Sequence, residues 1–344
     1  MTGSLTVTAD ALKSFVRAVF ERAGMSAEHA TTVAEVIVWA NLRGVDSHGV
    51  TRVPRYVEWI GAGVVNPRPA FKVITETAAS VLIEADRAAG PVAMTAAMDA
   101  AVRKAREAGA GLALVRATTH TAALGYYTQA AARQGMAALA LAGSIPIMAY
   151  HGAAAAGVST SPISIAVPGG SGGPIVLDMA TSIVSLGRLA QARRAGQPIP
   201  EGWALDGAGK PTTDPQRAEI PLPMGGPKGS GLALMVELLT SVLVGNPILA
   251  GTVGRPGRAR HRQNGFALAI DVSRYGDPAV FAREVEQLVA ALKVLPAAAG
   301  VDILVPGERG ARTYEQRSRE GIPVPAAIRD ELNAAARLVG APLL

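Results

Sequence analysis

The sequence predicts an α/β protein with an N-terminal helical subdomain. Short apolar runs alternate with helix-like segments between residues 71 and 306, a pattern typical of α/β folds. Residues 1–60 instead show only the three-to-four-residue periodicity of helices. No G-x-G-x-x-G motif lies between an apolar strand and a helix in this sequence, so the usual dinucleotide-binding fold is not predicted.

Three helices are predicted in the N-terminal subdomain, and each has a residue suited to cap it. Thr8 suits the start of a helix over 9–23, and Ser26 the start of a helix over 27–43. Ser47 suits the start of a third helix, which turns Val53 and Tyr56 inward. A Gly/Pro-containing stretch at 61–69 ends the subdomain.

The rest of the chain alternates predicted strands and helices. Strands are predicted at 71–76, 80–85, 111–117, 136–142, 161–169, 174–180, 265–272 and 301–306. Helices are predicted at 89–109, 123–134, 183–195, 229–244, 279–292, 308–319 and 325–338. The glycine-rich run at 169–173 is predicted to be a hairpin loop, because another strand follows it. Residues 196–227 are rich in Pro and Gly and are predicted to have little regular structure.

Composition excludes several classes of protein. The net charge is +6 and the isoelectric point about 9.8, but only 17% of residues are charged. The positive net charge therefore reflects a small number of acidic residues rather than a large number of basic ones. A nucleic-acid-binding protein more often has a stripe of basic residues together with aromatic residues that stack on bases. The one dense basic run, 254–262, is interpreted as a solvated loop that weakly attracts anions. We therefore predict no nucleic-acid partner.

The absence of certain residue types and sequence patterns excludes further classes of protein. With no cysteine, the chain has no disulfide, thiolate metal site or cysteine nucleophile. No His/Asp/Glu cluster has metal-ligand spacing. The N-terminus lacks the pattern of a signal peptide. The longest apolar run, 231–245, contains Glu237 and is too short to span a bilayer. These features predict a cytoplasmic protein without a membrane partner.

Residues 41–57 concentrate most of the reactive side chains of the N-terminal subdomain. An imidazole such as that of His48 exchanges a proton near neutrality, and an arginine one turn along, Arg52, can hold a carboxylate with two hydrogen bonds. Together they suit a site for a keto or hydroxy acid. The alternative interpretation is a polar helix start with a capping serine and solvent-facing arginines. Asp46 either orients an imidazole or caps a turn.

Two further positions have functional and structural interpretations. His120 follows the predicted strand 111–117, where α/β proteins place their chemistry, although a lone histidine there is more often a structural hydrogen-bonding group. Lys228 stands among four glycines before an apolar helix. Helix starts attract anions, so a phosphate site is plausible there, although the order of residues is not that of a Walker A motif.

Four ordered blocks resemble the type-2 malate/L-lactate dehydrogenase family, which includes ureidoglycolate dehydrogenase, sulfolactate dehydrogenase, diketogulonate reductase and piperideine-2-carboxylate reductase. They are RGVDSHGVTRVPRYV, PIVLDMATS, GQPIPEGWALDGAGKPTTDP and LPMGGPKGSGLALMVELL. The resemblance runs from about Leu12 to about Arg319. It implies an NAD- or NADP-dependent oxidoreductase that acts on a small anionic 2-keto acid, 2-hydroxy acid or cyclic 2-imino acid.

The resemblance also implies a fold like that of L-sulfolactate dehydrogenase: a mixed sheet between helical layers, with the cofactor close to a homodimer interface. The expected domains are a helical subdomain over 1–68, joined by helices in 311–344, and a nucleotide-binding α/β domain over 69–310 with the excursion 196–227.

The resemblance implies catalytic roles for His48 and His120, and family members differ in which histidine transfers the proton. We expect His48 to transfer it. Expected substrate contacts are Arg52 as carboxylate anchor, Tyr56, Ser47 and Thr160. Expected cofactor contacts are Ser144, Asp178, Met179, Ala180, Lys228, Gly307, Glu308 and Arg309.

The chain departs from the family pattern around one predicted pocket. The family often has Ser-x-His-Phe-Gly where this chain has Thr118 and Thr121-Ala122 around His120, and Asn where this chain has Ser161. These changes point to a non-standard substrate or a retuned cofactor site, and the alternative interpretation is drift in a permissive loop. The alternatives to an active enzyme are a cofactor-binding homologue with altered or lost turnover and a basic nucleic-acid-binding protein.

Overall fold

The computed structural model describes residues 5–253 and 262–344. Its α-helices are α1 (Ala9–Arg22), α2 (Ala27–Leu42), α3 (Val53–Gly61), α4 (Gly90–Ala108), α5 (Gly125–Ala132), α6 (Leu186–Ala195), α7 (Pro227–Glu237), α8 (Leu249–Thr252), α9 (Pro278–Lys293), α10 (Glu308–Glu320) and α11 (Ala326–Val339). Within these two ranges, no helix has the length and apolar character needed to cross a membrane.

In the described part of the chain, the strands form one large sheet and three small ones. They are β1 (Leu5–Val7), β2 (Lys72–Glu76), β3 (Ser80–Glu84), β4 (Ala110–Thr118), β5 (Met136–Ser144), β6 (Met148–Ala149), β7 (Ala156–Val158), β8 (Ile163–Val167), β9 (Ile175–Met179), β10 (Ala204–Leu205), β11 (Pro211–Thr212), β12 (Ile220–Pro221), β13 (Gln263–Asp271) and β14 (Ile322–Val324).

The large sheet is mixed, as expected, with strand order β2-β3-β4-β13-β5-β8-β9. β3 and β4 run parallel, and α4 provides the crossover between them, whereas the other neighbouring strands are antiparallel. α4 and α5 pack on the sheet, and the buried cluster that includes both helices contains small residues such as Ala97, Ala113 and Ala267. The glycine-rich run 169–173 joins the antiparallel strands β8 and β9, so the predicted hairpin loop is confirmed.

The first two helices begin where the sequence predicts. The side chain of Thr8 accepts a hydrogen bond from the backbone N–H of Ala11 at 3.3 Å, and that of Ser26 from His29 at 3.2 Å. Both are typical N-caps.

The prediction that Ser47 caps the third helix is wrong. Two 3₁₀ turns, Asp46–His48 and Val50–Arg52, come first, and neither has a side-chain cap. Gly49 between them has φ −91° and ψ −147°, which is not helical. Asn41 explains this bend, because its Oδ1 accepts a hydrogen bond from Val50 N at 2.8 Å. A Cβ at Gly49 would lie 2.2 Å from that same oxygen, so only glycine allows the approach.

The helical core combines the two ends of the chain. β1 pairs antiparallel with β14. Leu12, Phe20 and Ile37 from the N-terminal helices share one buried cluster with Ile322 and Leu332. Burial of large apolar side chains is the main source of stability in such a cluster. The boundaries of the two expected domains stay a prediction.

Three other expectations differ from the structure. Residues 301–306 do not form a strand, and Val301 is 60% exposed. The segment contacts β9 through a hydrogen bond from Val176 N to the backbone oxygen of Pro306. Alternating apolar residues predicted a strand, but no neighbouring strand pairs with this segment along its length. The excursion 196–227 holds a small sheet of order β11-β10-β12. The predicted helix 229–244 is α-helical to Glu237 and continues as a π-helical turn over Leu238–Val242. The basic run 254–262 lies almost entirely outside the described residues.

Close packing of α4 on β4 generates a stability prediction. A Cβ at Gly111 would lie 2.0 Å from the carbonyl oxygen of Ala101 and 2.7 Å from Ala105 N. Both atoms are backbone, so the strand or the helix must move. Gly111→Ala should destabilise the protein by about 1–3 kcal/mol, as overpacking usually does, measured by the urea midpoint of unfolding.

The matched control is Gly231→Ala in α7, where the added Cβ meets no atom within 4 Å. Removing glycine from a helix interior should stabilise by up to about 1 kcal/mol. Equal midpoints for the two variants would show that α4 and β4 are not in this close contact.

Candidate active site

A cleft of about 1210 Å³ separates the helical N-terminal part from the ends of the large sheet. Its walls come from the turns after α2, the loop after β4, the ends of β5 and β9, and the starts of α6 and α10. The predicted site residues that line it are Ser47, His48, Arg52, His120, Ser144, Thr160, Asp178, Met179, Ala180, Gly307 and Arg309. The structure thus brings together residues that are up to 262 positions apart along the chain (47 to 309).

The cleft is cationic. Five arginines line it, whereas the only acidic side chain among its described lining residues is Asp178. Those arginines are Arg43, Arg52, Arg55, Arg188 and Arg309. A low-dielectric groove with one sign of charge concentrates ligands of the opposite sign, so the cleft suits an anionic ligand.

The turn that carries His48 and Arg52 is held by a network of polar side chains. Arg317 from α10 donates to both carboxylate oxygens of Asp46, at 2.7 and 3.1 Å, and also bonds the backbone oxygen of Asn41. Asn41 Nδ2 donates to Asp46 Oδ1 at 2.6 Å. Asp46 therefore neither orients an imidazole nor caps a helix. It fastens the turn to the C-terminal part of the chain.

Arg52 has no acidic partner among the described residues. Its Nε donates to the backbone oxygen of Ser47 at 2.7 Å, which leaves the fork of terminal nitrogens for other acceptors. Burial lowers the pKa of the Arg52 guanidinium, yet arginine stays protonated in proteins. A half-buried cation without a counter-ion is costly, and a bound carboxylate would offset that cost.

Two histidines and a tyrosine surround this guanidinium. The rings of His48 and His120 stack with centroids 5.4 Å apart. The hydroxyl of Tyr56, which is buried behind them, lies 2.7 Å from His120 Nδ1 and donates to the backbone oxygen of His120 at 2.9 Å. His48 Nδ1 lies 3.0 Å from Ser47 Oγ. Burial, and next the charge of Arg52, lower the pKa of His48 to about 4, so His48 is neutral near pH 7.

Asp178 lies at the end of β9, where its side chain reaches the cleft. Its Oδ2 accepts a hydrogen bond from Gly125 N at 2.8 Å, and this bond opposes the larger effect of burial, which raises the pKa of Asp178 to about 6. A Cβ at Gly125 would lie 2.9 Å from the same oxygen, so the start of α5 must be glycine for the carboxylate to dock.

Three predicted site residues do not line the cleft. Glu308 receives hydrogen bonds from Lys293, Arg312 and the backbone N–H of Val305, which lower its pKa to about 2, the contact with Lys293 contributing most. Lys228 is exposed at the start of α7. Tyr56 lies behind His120. The cofactor contacts expected for Glu308 and Lys228 stay predictions.

Two loop residues that depart from the family pattern have left-handed backbones. Ala122 has φ 55° and Ser161 has φ 28°, a region that favours Gly and Asn. A residue other than glycine at such a φ costs about 1 kcal/mol or more, so both loops carry backbone strain beside the cleft.

Sequence reasoning assigned no role in the site to three arginines of the cleft, and one of them, Arg55, pairs with Glu58 on α3. Arg43 stacks on the Trp39 ring, with 5.4 Å between its Cζ and the ring centroid, and its Nη2 donates to Gly307 O at 2.8 Å. Arg188 stacks on Trp203 at 5.7 Å. The available signal was the position of Arg43 inside the quoted motif. Arg188 had no comparable signal, since it lies in a helix of otherwise ordinary composition.

Known proteins resemble the chain over nearly its full length. The family model for malate/L-lactate dehydrogenase matches residues 7–333. A malate dehydrogenase of Pyrococcus abyssi is 36% identical, over 96% of this chain and 94% of that protein. The ureidoglycolate dehydrogenase (NAD(+)) of Escherichia coli K12 is 31% identical, with 93% of each chain covered. The structure of sulfolactate dehydrogenase from Methanocaldococcus jannaschii superposes with a TM-score of 0.87 at 32% identity, covering 98% of each chain. The predicted fold class is confirmed, and the chain belongs to the malate/L-lactate dehydrogenase family.

Proposed function

We propose that this protein transfers a hydride between NAD(P)H and C2 of a small 2-keto acid, 2-hydroxy acid or cyclic 2-imino acid. The observation that carries the proposal is the guanidinium of Arg52. It is half-buried on the wall of a cationic cleft, has no described acidic partner, and stands beside two stacked histidines. A substrate carboxylate on Arg52 places the neighbouring C2 group next to an imidazole.

The proton needs a group near the acceptor atom, since reduction of a ketone or imine adds one proton as well as a hydride. From the sequence, His48 is expected in this role. The pKa of about 4 keeps His48 neutral at neutral pH and makes its imidazolium scarce. We therefore assign the proton transfer to His120, and propose that His48 and Ser47 hydrogen-bond the substrate as neutral groups. Thr160 is proposed as a further contact on the opposite wall.

The described residues fit a nicotinamide cofactor. No described side chain caps α10, whose first turn borders the cleft at Gly307 and Arg309, and an uncapped helix start with an arginine suits a phosphate. A Cβ at Gly307, where φ is +83°, would lie 2.7 Å from Val176 O, so the chain stays tight against β9. Ser144 and residues 178–180 line the rest of the groove. Bound NADH or NADPH supplies the hydride.

We also propose that the protein is a cytoplasmic homodimer. A cysteine-free sequence suits a reducing compartment. Large apolar side chains on α7 and the following π-helical turn are 38–60% exposed, which is unusual for a contiguous surface on a monomer. They are Leu234, Met235, Leu238, Leu239, Val242 and Leu243. A second copy of the chain is the occupant proposed, because most soluble oligomers are symmetric homodimers.

The substrate role of Arg52 is tested by Arg52→Lys. An ammonium cannot reproduce the planar two-pronged contact, and a charged hydrogen bond contributes about 1.5–3 kcal/mol. The variant should lose roughly ten- to a hundredfold in kcat/KM for 2-keto acids in an assay of reduced-cofactor absorbance. Arg17→Lys, in an ion pair with Glu21 on α1, controls for the substitution itself. An equal loss with the matching 2-keto amides would remove the carboxylate role.

The dimer is tested by Leu239→Glu. A carboxylate buried at an apolar interface is strongly unfavourable, so the variant should run at the 35.2 kDa mass of one chain in light scattering after gel filtration, whereas the wild type should show twice that mass. The control is Leu338→Glu, where the leucine is 81% exposed on α11 and the dimer should persist. A wild-type monomer, or a variant dimer, would contradict the proposal.

A further inference from the structure

We propose that Tyr56 is a positioning residue that holds His120 in the tautomer protonated on Nδ1, so that Nε2 is the nitrogen that gains and loses the catalytic proton. This inference rests on the proposed function for the role of His120. The tautomer itself follows from the hydrogen bonds of Tyr56 and is measurable without any substrate.

The hydroxyl of Tyr56 contacts two atoms of one residue. It lies 2.7 Å from His120 Nδ1 and 2.9 Å from the backbone oxygen of His120. A hydroxyl has a single hydrogen to donate, and a carbonyl oxygen only accepts. Both contacts are hydrogen bonds only if the hydroxyl donates to the carbonyl and Nδ1–H donates to the hydroxyl.

The opposite tautomer is unfavourable at this site. If the hydroxyl donated to Nδ1, its lone pairs would face the carbonyl oxygen at 2.9 Å, and a buried carbonyl would lose its partner, which costs about 1–3 kcal/mol. Ionisation of Tyr56 does not relieve this conflict, because burial raises the pKa of the phenol far above neutrality. The hydroxyl keeps its one hydrogen throughout the working pH range.

Rigid packing keeps the three atoms in this arrangement. Tyr56 is 2% exposed and stacks against Trp59, with 5.7 Å between ring centroids. On the other side, a Cβ at Gly90 would lie 2.2 Å from the His120 backbone oxygen, so the start of α4 presses directly on that carbonyl. Thr121 N donates to Gln263 Oε1 at 2.9 Å, which anchors the next residue of the loop to β13.

The hydrogen bond from His120 Nδ1–H to the Tyr56 hydroxyl, called the tautomer lock below, is compatible with both protonation states of His120. In the neutral ring and in the imidazolium alike, Nδ1–H donates to the Tyr56 hydroxyl, so only Nε2 changes when a proton moves. No hydroxyl has to rotate during the reaction, which is the advantage of a pre-organised site. His48 differs, because its Nδ1 faces the Ser47 hydroxyl, which both donates and accepts and so fixes no tautomer. Among the ionisable groups around the Tyr56–His120 pair, His48 stacks on His120 and the charge of Arg52 acts on Tyr56.

The experiment is ¹⁵N NMR of the full-length protein labelled only at histidine, with the His120 signals assigned by their loss in His120→Gln. In the wild type at a pH where the ring is neutral, we expect Nδ1 protonated and Nε2 unprotonated. Tyr56→Phe should give a mixture of tautomers or the Nε2-protonated form. It should also lower kcat by roughly tenfold or more, as expected for the loss of a charge-assisted hydrogen bond, with little change in KM for the reduced cofactor.

The matched control is Tyr127→Phe. Tyr127 is equally buried and its hydroxyl donates to Thr121 O at 2.7 Å, so this variant also loses a buried hydroxyl bond but should leave the His120 tautomer unchanged. An Nε2-protonated His120 in the wild type overturns the proposal without reference to any variant, and so does an unchanged tautomer in a folded Tyr56→Phe protein. If the tautomer lock is present but no acid is turned over, the proposed function fails and the inference about the tautomer stands.

Discussion

The arrangement of the cleft depends on the ion pair between Asp46 and Arg317, together with Asn41. Arg317 of α10 donates hydrogen bonds to both carboxylate oxygens of Asp46 in the turn after α2. The side chain of Asn41 also holds this region, because its Oδ1 accepts a hydrogen bond from Val50 N. Half-buried Arg–carboxylate pairs of this two-pronged kind fix geometry as well as adding energy. The same α10 begins at the cleft with Gly307 and Arg309. One helix therefore connects the wall that carries Arg52 and the histidines to the wall proposed for the cofactor.

The positive charge of the cleft explains why it suits a ligand with a carboxylate. Part of the positive charge of the chain lies in the cleft, where five arginines face one aspartate among the described lining residues. Three of the five, Arg43, Arg55 and Arg188, are stacked on tryptophans, which holds their side chains in place, and Arg55 also pairs with Glu58. Arg52 differs from these, because it stands next to the histidines. This difference is the physical basis for separating a carboxylate anchor from the arginines that set the general field.

Much of the fold was predictable from local patterns, and the site was predictable in part. Apolar periodicity and caps such as Thr8 and Ser26 located most helices and strands. The first quoted block located His48 and Arg52, and the end of the predicted strand 111–117 located His120. Errors arose where a distant residue overrides a local preference. Ser47 has a capping composition, but Asn41 and Arg317, the latter 270 positions further on, bend the turn. The apolar run 301–306 resembles a strand, yet lies at the edge of β9 without pairing along it. The hydrogen bonds of Tyr56 to His120 depend on side-chain geometry that no sequence pattern encodes.

The proposed function requires that the cleft direct a hydride to C2 of a carboxylate-bearing substrate. Its most direct test uses NADH and NADPH deuterated at both C4 positions, incubated with the enzyme and a panel of 2-keto acids, cyclic 2-imino acids and their carboxamides. Mass spectrometry then locates deuterium in the products. We expect deuterium at C2 of at least one hydroxy acid or amino acid product, and much less deuterium in the product of the corresponding carboxamide. Deuterium in none of the acids, or equal incorporation into acid and carboxamide, would contradict it.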